Sequence, residues 1–211
     1  MTTRALFWDV DTQVDFMHAD GKLYVPGSVE IIPALERLTR HAHDHGIRII
    51  ASADDHVPGH RELSDSPDFV TTFPEHCMRG TPGQRKITET ALRNPLVIDP
   101  SPRDSGELAE EVRAHDGDIL FLKHWFDVFT NPNVTPVVTA LAPARIVLYG
   151  VALDVCNRYA INGLLERFPG TPISLVTDAT RAIDPARSET LMADWSARGV
   201  SLTTTDEVRA A

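Results

Sequence analysis

Cys156 is the residue of this 211-residue chain whose position most suggests chemistry. It lies six residues after Gly150, which ends an apolar run, and we expect it in the first turn of the following helix. The helix dipole and the unpaired N–H groups there favour a thiolate, the nucleophilic form of cysteine. The same N–H groups can hold an oxyanion. The alternative is a small buried residue that packs the helix onto a sheet, as free cysteines often do.

Two charged residues at other strand ends can assist such a nucleophile. Asp11 follows the first apolar run of the chain and Lys123 ends the third. A carboxylate whose pKa is raised can accept the thiol proton and return it to a leaving amine. The lysine can hold the carboxylate and stabilise developing negative charge. Taken separately, Asp11 also fits a turn-capping carboxylate and Lys123 a solvated strand end, so the hypothesis depends on their combination with Cys156.

A second group of residues has the side chains of a transition-metal site. Asp54 and His56 form an Asp-x-His pair, with His60 four residues later and His76 further along. These ligands suit zinc, iron or manganese, whereas magnesium prefers oxygen ligands. The stretch 57–93 that holds the last two histidines is rich in Pro, Gly and Ser, and a loop of that length is usually functional. Cys77 has no neighbouring cysteine, and we interpret it as structural.

The elements that must position these residues alternate along the chain. Short apolar runs without in–out alternation predict strands covered on both faces, and helical patterns separate them. This order predicts a parallel sheet with helices on both faces, whose ligands bind beyond the carboxyl ends of the strands. The predicted helices run from a Ser28 cap to His45, from Val155 to Phe168, and from Pro185 to just before Gly199. The six predicted strands are 5–8, 48–51, 119–122, 145–149, 173–176 and 200–203.

Composition narrows the class of protein. Thirty acidic against twenty basic residues give a net charge of −10, which argues against nucleic acid or an anionic membrane surface as partner. The longest apolar run, 146–153, is far shorter than the ~20 residues of a membrane helix. The N-terminus meets Asp9 too early for a signal peptide, and two cysteines suit a reducing compartment. We expect one cytoplasmic domain, residues 1–211, that acts on a small molecule.

Four segments resemble, in chain order, motifs of the isochorismatase-like cysteine hydrolases, and within them the nicotinamidases. The resemblance implies a three-layer α/β domain with a six-stranded parallel sheet, strand order 3-2-1-4-5-6, in a homo-oligomer. It implies Asp11, Lys123 and Cys156 as the catalytic residues. It also implies a cis peptide between Val151 and Ala152, with the amides of Ala152 and Cys156 as an oxyanion hole. The segments are VDTQVDFM (10–17), SADDHVPGH (52–60), FPEHCMRGTPG (73–83) and GVALDVC (150–156).

The resemblance further implies a divalent metal and a reaction. Asp54, His56 and His76 match the ligand positions, with His60 close by as a further candidate; zinc is the expected metal, with iron and manganese as alternatives. The implied reaction is hydrolysis of a small carboxamide to acid and ammonia through a covalent thioester on Cys156. In nicotinamidases the metal holds the ring nitrogen of the substrate, so it orients the substrate and does not generate the nucleophile.

Several positions depart from the nicotinamidase pattern. Leu153 stands where a threonine is usual, and Phe73 replaces a tryptophan that walls the substrate ring. The run HWFDVFTNPN after Lys123 also differs. We interpret these as changes in the substrate pocket, so another small C–N substrate remains an alternative to nicotinamide. Phe16, Phe73 and Trp125 are the predicted aromatic wall, although each also fits an ordinary core position.

Two other interpretations remain open from the residues alone. FWDVDTQ resembles the opening of haloacid-dehalogenase phosphatases, in which Asp9 would take the phosphoryl group, with Ser52, Lys123 and Asp178 in the remaining roles. Gln13 stands where that motif requires Thr or Val, and this interpretation leaves Cys156 and the histidines unexplained. The other is a metal-binding or partner-binding protein of the same fold without activity. True isochorismatases lack the cysteine, so its presence favours the amidase branch.

Overall fold

A single parallel sheet of seven strands forms the centre of the computed structural model, which describes residues 5–210. The strands are β1 (Ala5–Val10), β2 (Ile49–Asp54), β3 (Leu96–Ile98), β4 (Ile119–Lys123), β5 (Arg145–Val151), β6 (Ile173–Arg181) and β7 (Ser201–Thr203). Their spatial order is β3-β4-β2-β1-β5-β6-β7, with every pair parallel. The helices are α1 (Val14–Met17), α2 (Ser28–Asp44), α3 (Ser105–Ala114), α4 (Val134–Leu141), α5 (Cys156–Arg167), α6 (Pro185–Ala197) and α7 (Thr205–Ala210).

Both faces of the sheet are buried, which explains the continuous apolar runs. Successive residues of β1 point to opposite faces, so Trp8 joins one apolar cluster and Phe7 the other. Side chains from α3, α4, α5 and α6 complete the first cluster, and side chains from α2 and α7 complete the second. The result is the three-layer arrangement that the sequence predicts.

The six predicted strands are all present, and their order is confirmed. The count of six is wrong, because β3 adds a seventh strand at the edge beside β4. This strand has only three residues, lies between Pro95 and Pro100, and leaves Val97 51% exposed. A short, half-exposed segment between two prolines does not carry the continuous apolar signal of a central strand.

Helix boundaries follow the predicted signals except at the start of α2. Asp184 accepts a hydrogen bond from the Ala186 amide (3.0 Å) and caps α6, as expected for an Asp-Pro start. Ser28 is not the cap of α2: Gly27 takes that position with φ of 76°. The Ser28 hydroxyl instead donates to the Phe16 carbonyl at 2.9 Å, which ties the start of α2 to α1.

The stretch 57–93 contains no strand and no α-helix among the residues that the structure describes. Its regular structure is confined to two three-residue 3-10 turns, Pro82–Gln84 and Thr88–Thr90, and to isolated bridges such as Leu63 with Phe73. It covers the carboxyl edge of the sheet, where His56 pairs with Met78. Within residues 5–210, no helix has the length and apolarity to cross a membrane.

Candidate active site

The parallel register brings the three predicted catalytic residues to one edge of the sheet. Asp54 of β2 pairs with Lys123 of β4, and Val10 of β1 pairs with Gly150 of β5. Asp11 follows directly after β1, and Cys156 begins α5, five residues beyond the end of β5. Strands adjacent in the sheet therefore deliver these side chains to a shared space.

Lys123 lies at the centre of this space. Its side chain is 1% exposed, and its Nζ lies 3.0 Å from Asp11 Oδ2 and 3.7 Å from Cys156 Sγ. The same ammonium donates a hydrogen bond to Asp54 Oδ1. Because one buried cation contacts two carboxylates and the thiol, the predicted catalytic residues and the predicted metal ligand Asp54 form a single connected site.

Burial controls the protonation of the thiol and of its neighbouring carboxyl. It raises the pKa of Cys156 well above the usual range, and Lys123 only partly opposes this. Burial also raises the pKa of Asp11, again against the effect of Lys123. Although burial alone would lower it, the carboxylates of Asp11 and Asp54 raise the pKa of Lys123. The raised pKa of the thiol favours its protonated form, so a nucleophilic role for Cys156 would call for a nearby base.

The turn before α5 sets the position of Cys156. Gly150 has φ of 111°, and a Cβ there would lie 2.1 Å from the Val10 carbonyl oxygen, so only glycine fits. The peptide between Val151 and Ala152 is cis, as the family resemblance implies. The Ala152 carbonyl accepts hydrogen bonds from the amides of Val155 and Asn157. These contacts hold the turn so that the thiol faces the pocket.

Four buried residues form a group that fits a metal ion. One ligand atom from each of Asp54, His56, Glu62 and His76 lies within 4.8 Å of the others. Among the described residues, His56 Nε2, His76 Nε2 and Glu62 Oε2 are buried without a hydrogen-bond partner. The other ring nitrogen of each histidine is engaged, His76 Nδ1 with the Pro74 carbonyl (2.8 Å) and His56 Nδ1 with His60 (3.2 Å). Two imidazoles and two carboxylates aimed at one point suit a divalent transition metal.

The charges of this group also call for a cation. Although burial opposes it, the neighbouring carboxylates of Asp54 and Glu62 raise the pKa of His76 to about 9. Burial lowers the pKa of His56 to about 4, which keeps that imidazole neutral and able to act as a ligand. Two buried carboxylates that attract a proton to His76 would equally attract a metal ion.

Glu62 was missed from the sequence, and His60 lies outside the group. Glu62 sits within RELSDSP, a polar run without periodicity that is typical of solvated loops. Only the fold turns it inward, because its carbonyl accepts the Phe73 amide (2.7 Å) and places it 3.4 Å from His76 Nε2. His60 contacts the ring of His56 from the opposite side, against the ring of His124.

Three residues of the metal group, Asp54, Glu62 and His76, line one pocket together with Cys156; its volume is about 350 Å³, open mouth included. Phe16 and Phe73 contribute to its wall, as predicted, but Trp125 does not; the next residue, Phe126, does. The Trp125 ring lies beside Phe126 and under the Arg61 guanidinium, 3.8 Å from the ring centre. The lining residues are Phe16, Leu23, Val25, Asp54, Glu62, Phe73, His76, Phe126, Ala152, Val155, Cys156 and Ile183.

Asp9 and Leu153 lie outside this pocket. Asp9 is buried, 2.8 Å from Lys86 Nζ, and accepts a hydrogen bond from the Thr12 hydroxyl at 2.8 Å. A carboxylate held in this way is not placed to take a phosphoryl group, so the phosphatase interpretation loses its nucleophile. Leu153 packs into the core beneath α6. Its replacement of the usual threonine is thus a change outside the pocket, contrary to our interpretation from the sequence.

Gln13 connects the catalytic and metal-binding segments. Its side-chain oxygen accepts the Asp54 amide (2.7 Å), and its Nε2 donates to the carbonyls of Asp54 (2.8 Å) and Gln84 (2.7 Å). From the sequence this residue was only a mismatch to a phosphatase motif. In the fold, its buried side-chain amide is hydrogen-bonded to the backbone at the end of β2 and joins that strand to the loop that carries His76.

The fold and this site together are those of an α/β enzyme with a thiol in its pocket. The chain belongs to the isochorismatase family, whose Isochorismatase domain matches residues 6–207. It is therefore an isochorismatase-like hydrolase, and the family resemblance seen in the sequence is confirmed. The nicotinamidase/pyrazinamidase of Mycobacterium tuberculosis is 34% identical over 74 residues, which cover 35% of this chain and 39% of that enzyme.

Solved structures support the fold. The pyrazinamidase of Pyrococcus horikoshii in complex with zinc matches with a TM-score of 0.73 at 22% identity, covering 95% of this chain and 99% of that one. The N-carbamoylsarcosine amidase of Thermoplasma acidophilum matches with a TM-score of 0.70 at 22% identity, covering 96% and 97%. The pyrazinamidase/nicotinamidase of Streptococcus mutans matches with a TM-score of 0.71 at 19% identity, covering 94% and 99%.

Proposed function

We propose that this hydrolase cleaves the C–N bond of a small carboxamide, with Cys156 as nucleophile, Asp11 as proton shuttle and Lys123 as the cation that holds them. The observation that carries the proposal is the buried contact of Lys123 with both Asp11 and Cys156. The named activities of the solved relatives, pyrazinamidase and N-carbamoylsarcosine amidase, are in keeping with amide hydrolysis.

The proposed reaction begins from a neutral thiol and an ionised Asp11. Asp11 takes the proton from Cys156 as the sulfur attacks the amide carbon, and the amides of Ala152 and Cys156 hold the resulting oxyanion. The C–N bond then breaks as Asp11 returns its proton to the nitrogen, and ammonia leaves a thioester. A water molecule, deprotonated by Asp11, attacks the thioester, and the departing thiolate regains the proton. A carboxyl group with a raised pKa suits both directions of transfer.

Asp54, His56, Glu62 and His76 would hold a divalent metal, with zinc as the first choice and iron or manganese as alternatives. When bound, such a metal supplies a Lewis-acid contact for a lone pair of the substrate, for example a ring nitrogen. The chain's own residues carry the proton transfers and the nucleophilic attack. Asp54, Glu62 and His76 line the same pocket as Cys156, so one small substrate can reach both the metal group and the thiol.

The pocket wall favours a neutral, flat substrate. Its described lining is mainly apolar and includes three phenylalanines, Phe16, Phe73 and Phe126, but neither lysine nor arginine to hold a substrate carboxylate. Nicotinamide is therefore the first substrate to test, and another small carboxamide is the alternative.

We further propose that the chain acts as one domain in a cytoplasmic homo-oligomer. We propose no nucleic-acid or membrane partner, because a net charge of −10 repels anionic surfaces.

The proposed activity is tested by ammonia release from a panel of small amides that includes nicotinamide, pyrazinamide and N-carbamoylsarcosine, using zinc-loaded protein. We expect release from the neutral ring amides and at least tenfold lower kcat/KM for the carboxylate-bearing amide, because the carboxylates of Asp54 and Glu62 already balance the charge of a divalent metal and no lysine or arginine lines the pocket to offset the desolvation of a further carboxylate. Preference for N-carbamoylsarcosine would contradict the substrate class while keeping the chemistry. No release from any amide would contradict the proposed function.

The metal group is tested by measuring bound zinc in purified variants. Glu62→Gln and His56→Ala are each expected to weaken zinc affinity by roughly tenfold or more, because each removes a charged or imidazole ligand. His115→Ala is the matched control: this half-buried histidine is bonded to the Asn94 carbonyl, away from the metal group, and the variant should bind zinc like the wild type. Unchanged zinc affinity in both site variants, measured by competition with a chelator, would show that the ligand set is wrong.

A further inference from the structure

Ser52 makes two contacts with Asp11. It lies on β2, buried, beside the end of β1, where it pairs with Val10. Its carbonyl accepts the Asp11 amide at 3.3 Å, and its hydroxyl donates to Asp11 Oδ1 at 2.6 Å. The backbone and the side chain of Asp11 are thus both held by the same residue.

The two oxygens of the Asp11 carboxylate consequently have different surroundings. Oδ1 is occupied by the Ser52 hydroxyl. Oδ2 is buried, lies 3.0 Å from Lys123 Nζ, and accepts no hydrogen bond with acceptable geometry among the described residues. Since Asp11 has φ of 48°, its backbone is confined to the left-handed region, and rotation of the side chain is the remaining freedom.

We propose that Ser52 is a positioning residue for the hydrolase reaction: its hydroxyl fixes the carboxylate plane of Asp11 so that Oδ2 stays available to exchange the proton of Cys156. Ser52 acts through Asp11 and does not touch the substrate. The proposal deepens the proposed function, because it rests on Asp11 as the proton shuttle. Without the hydroxyl, the carboxylate can rotate and share both oxygens with Lys123, and the exchange with the thiol then becomes slower.

The hydroxyl also changes the proton affinity of Asp11. Charged and titratable groups face this carboxyl from three elements: Lys123 of β4, Asp54 of β2 and Cys156 of α5. Burial raises the pKa of Asp11, Lys123 lowers it, Asp54 raises it, and the Ser52 hydrogen bond lowers it. Loss of the hydroxyl therefore raises the pKa of Asp11 further. At low pH Asp11 is protonated and cannot act as a base, and this causes the acid limb of the kcat/KM profile. A higher pKa of Asp11 moves that limb to higher pH.

The test compares Ser52→Ala, which removes the hydroxyl, with Ser52→Thr, which keeps it. Thr205→Ala is the matched control, because it removes another buried hydroxyl bonded to a carboxylate, Asp178 (3.0 Å), away from the pocket. We expect Ser52→Ala to lower kcat/KM by roughly tenfold to a hundredfold, as for a lost hydrogen bond to a charged group. The loss should fall mainly on kcat, with zinc content unchanged. Ser52→Thr should recover most of the rate, and Thr205→Ala should leave the pH profile in place.

A second readout does not depend on turnover. The pKa of Asp11 can be followed by ¹³C NMR of the aspartate carboxyl carbons, assigned with Asp11→Asn, in protein of one fixed metal state. A higher pKa of Asp11 in Ser52→Ala supports the proposal even where no amide of the panel is cleaved. Failure of the substrate assignment can therefore be distinguished from failure of the role proposed for Ser52. A folded Ser52→Ala protein with the wild-type Asp11 pKa overturns the proposal. An unchanged acid limb together with a change in KM alone also overturns it.

Discussion

Replacing Cys156 with alanine is expected to reduce amide hydrolysis to background, a loss of roughly 10³-fold or more, because no other group in the site can form the thioester. The pocket would still bind substrate, since its aromatic wall and the metal group do not depend on the thiol. Lys123 keeps its contacts with Asp11 and Asp54 in this variant. The fold, the zinc content and substrate binding should therefore remain close to those of the wild type.

The measurement is single-turnover and steady-state ammonia release, with mass spectrometry of acid-quenched wild type to detect an acyl group on the peptide that contains Cys156. Cys77→Ala is the matched control, because Cys77 is the other free, buried cysteine and packs in the opposite apolar cluster without lining the pocket. This control should retain the acyl adduct and turnover. Full amidase activity in Cys156→Ala would rule out the covalent mechanism.

Replacing Lys123 with methionine is expected to lower both activity and stability. The substitution leaves Asp11 and Asp54 buried next to each other without the cation that both contact. Removing one partner of a buried ionic group costs about 3–5 kcal/mol, because the remaining charge is left uncompensated. The carboxyl of Asp11 would also hold its proton more tightly, so it would be a poorer base at neutral pH. We expect kcat/KM to fall by at least about a hundredfold.

The pH dependence of this loss follows from the carboxyl groups. Although burial opposes it, Lys123 lowers the pKa of Asp54 in the wild type, which gives stability above the unfolded pKa that is lost as pH falls. In Lys123→Met the lysine no longer opposes burial, so we expect the folded pKa values of both carboxyls to rise above their unfolded values. The variant then loses stability as pH rises through those raised values. The stability difference from wild type should therefore be largest near pH 7 and shrink toward pH 4.

Urea unfolding at pH 7 and at pH 5, without added metal, measures this difference. Lys86→Met is the matched control, since Lys86 also pairs with a buried carboxylate, Asp9 at 2.8 Å, but its partners Asp9 and Thr12 are outside the group of Asp11, Lys123 and Cys156. It should destabilise the protein and retain far more of the hydrolase activity than Lys123→Met. If Lys123→Met unfolds at the wild-type urea concentration at pH 7, the central role of this lysine in the site is wrong.

The sequence by itself determined the architecture and the grouping of Asp11, Lys123 and Cys156 at one sheet edge. The strands were predictable because both faces of the sheet are covered, so each strand is a continuous apolar run, and helix ends carry local signals such as Asp184-Pro185. Because parallel strands present their carboxyl ends at one edge, the strand pattern also predicts that Asp11, Lys123 and Cys156 lie together. These inferences depend on short-range patterns and on one general property of parallel sheets.

Only the tertiary structure decided which loop residues face the site. Glu62 enters the metal group because the loop 57–93 folds back on itself. Phe126 stands in the pocket wall, whereas the neighbouring Trp125 packs under the Arg61 guanidinium outside it. The Ser52 hydroxyl meets Asp11 across 41 positions of the chain through the pairing of β1 with β2. Contacts of this kind depend on distances between segments that carry no periodic signal, so only folding brings them together.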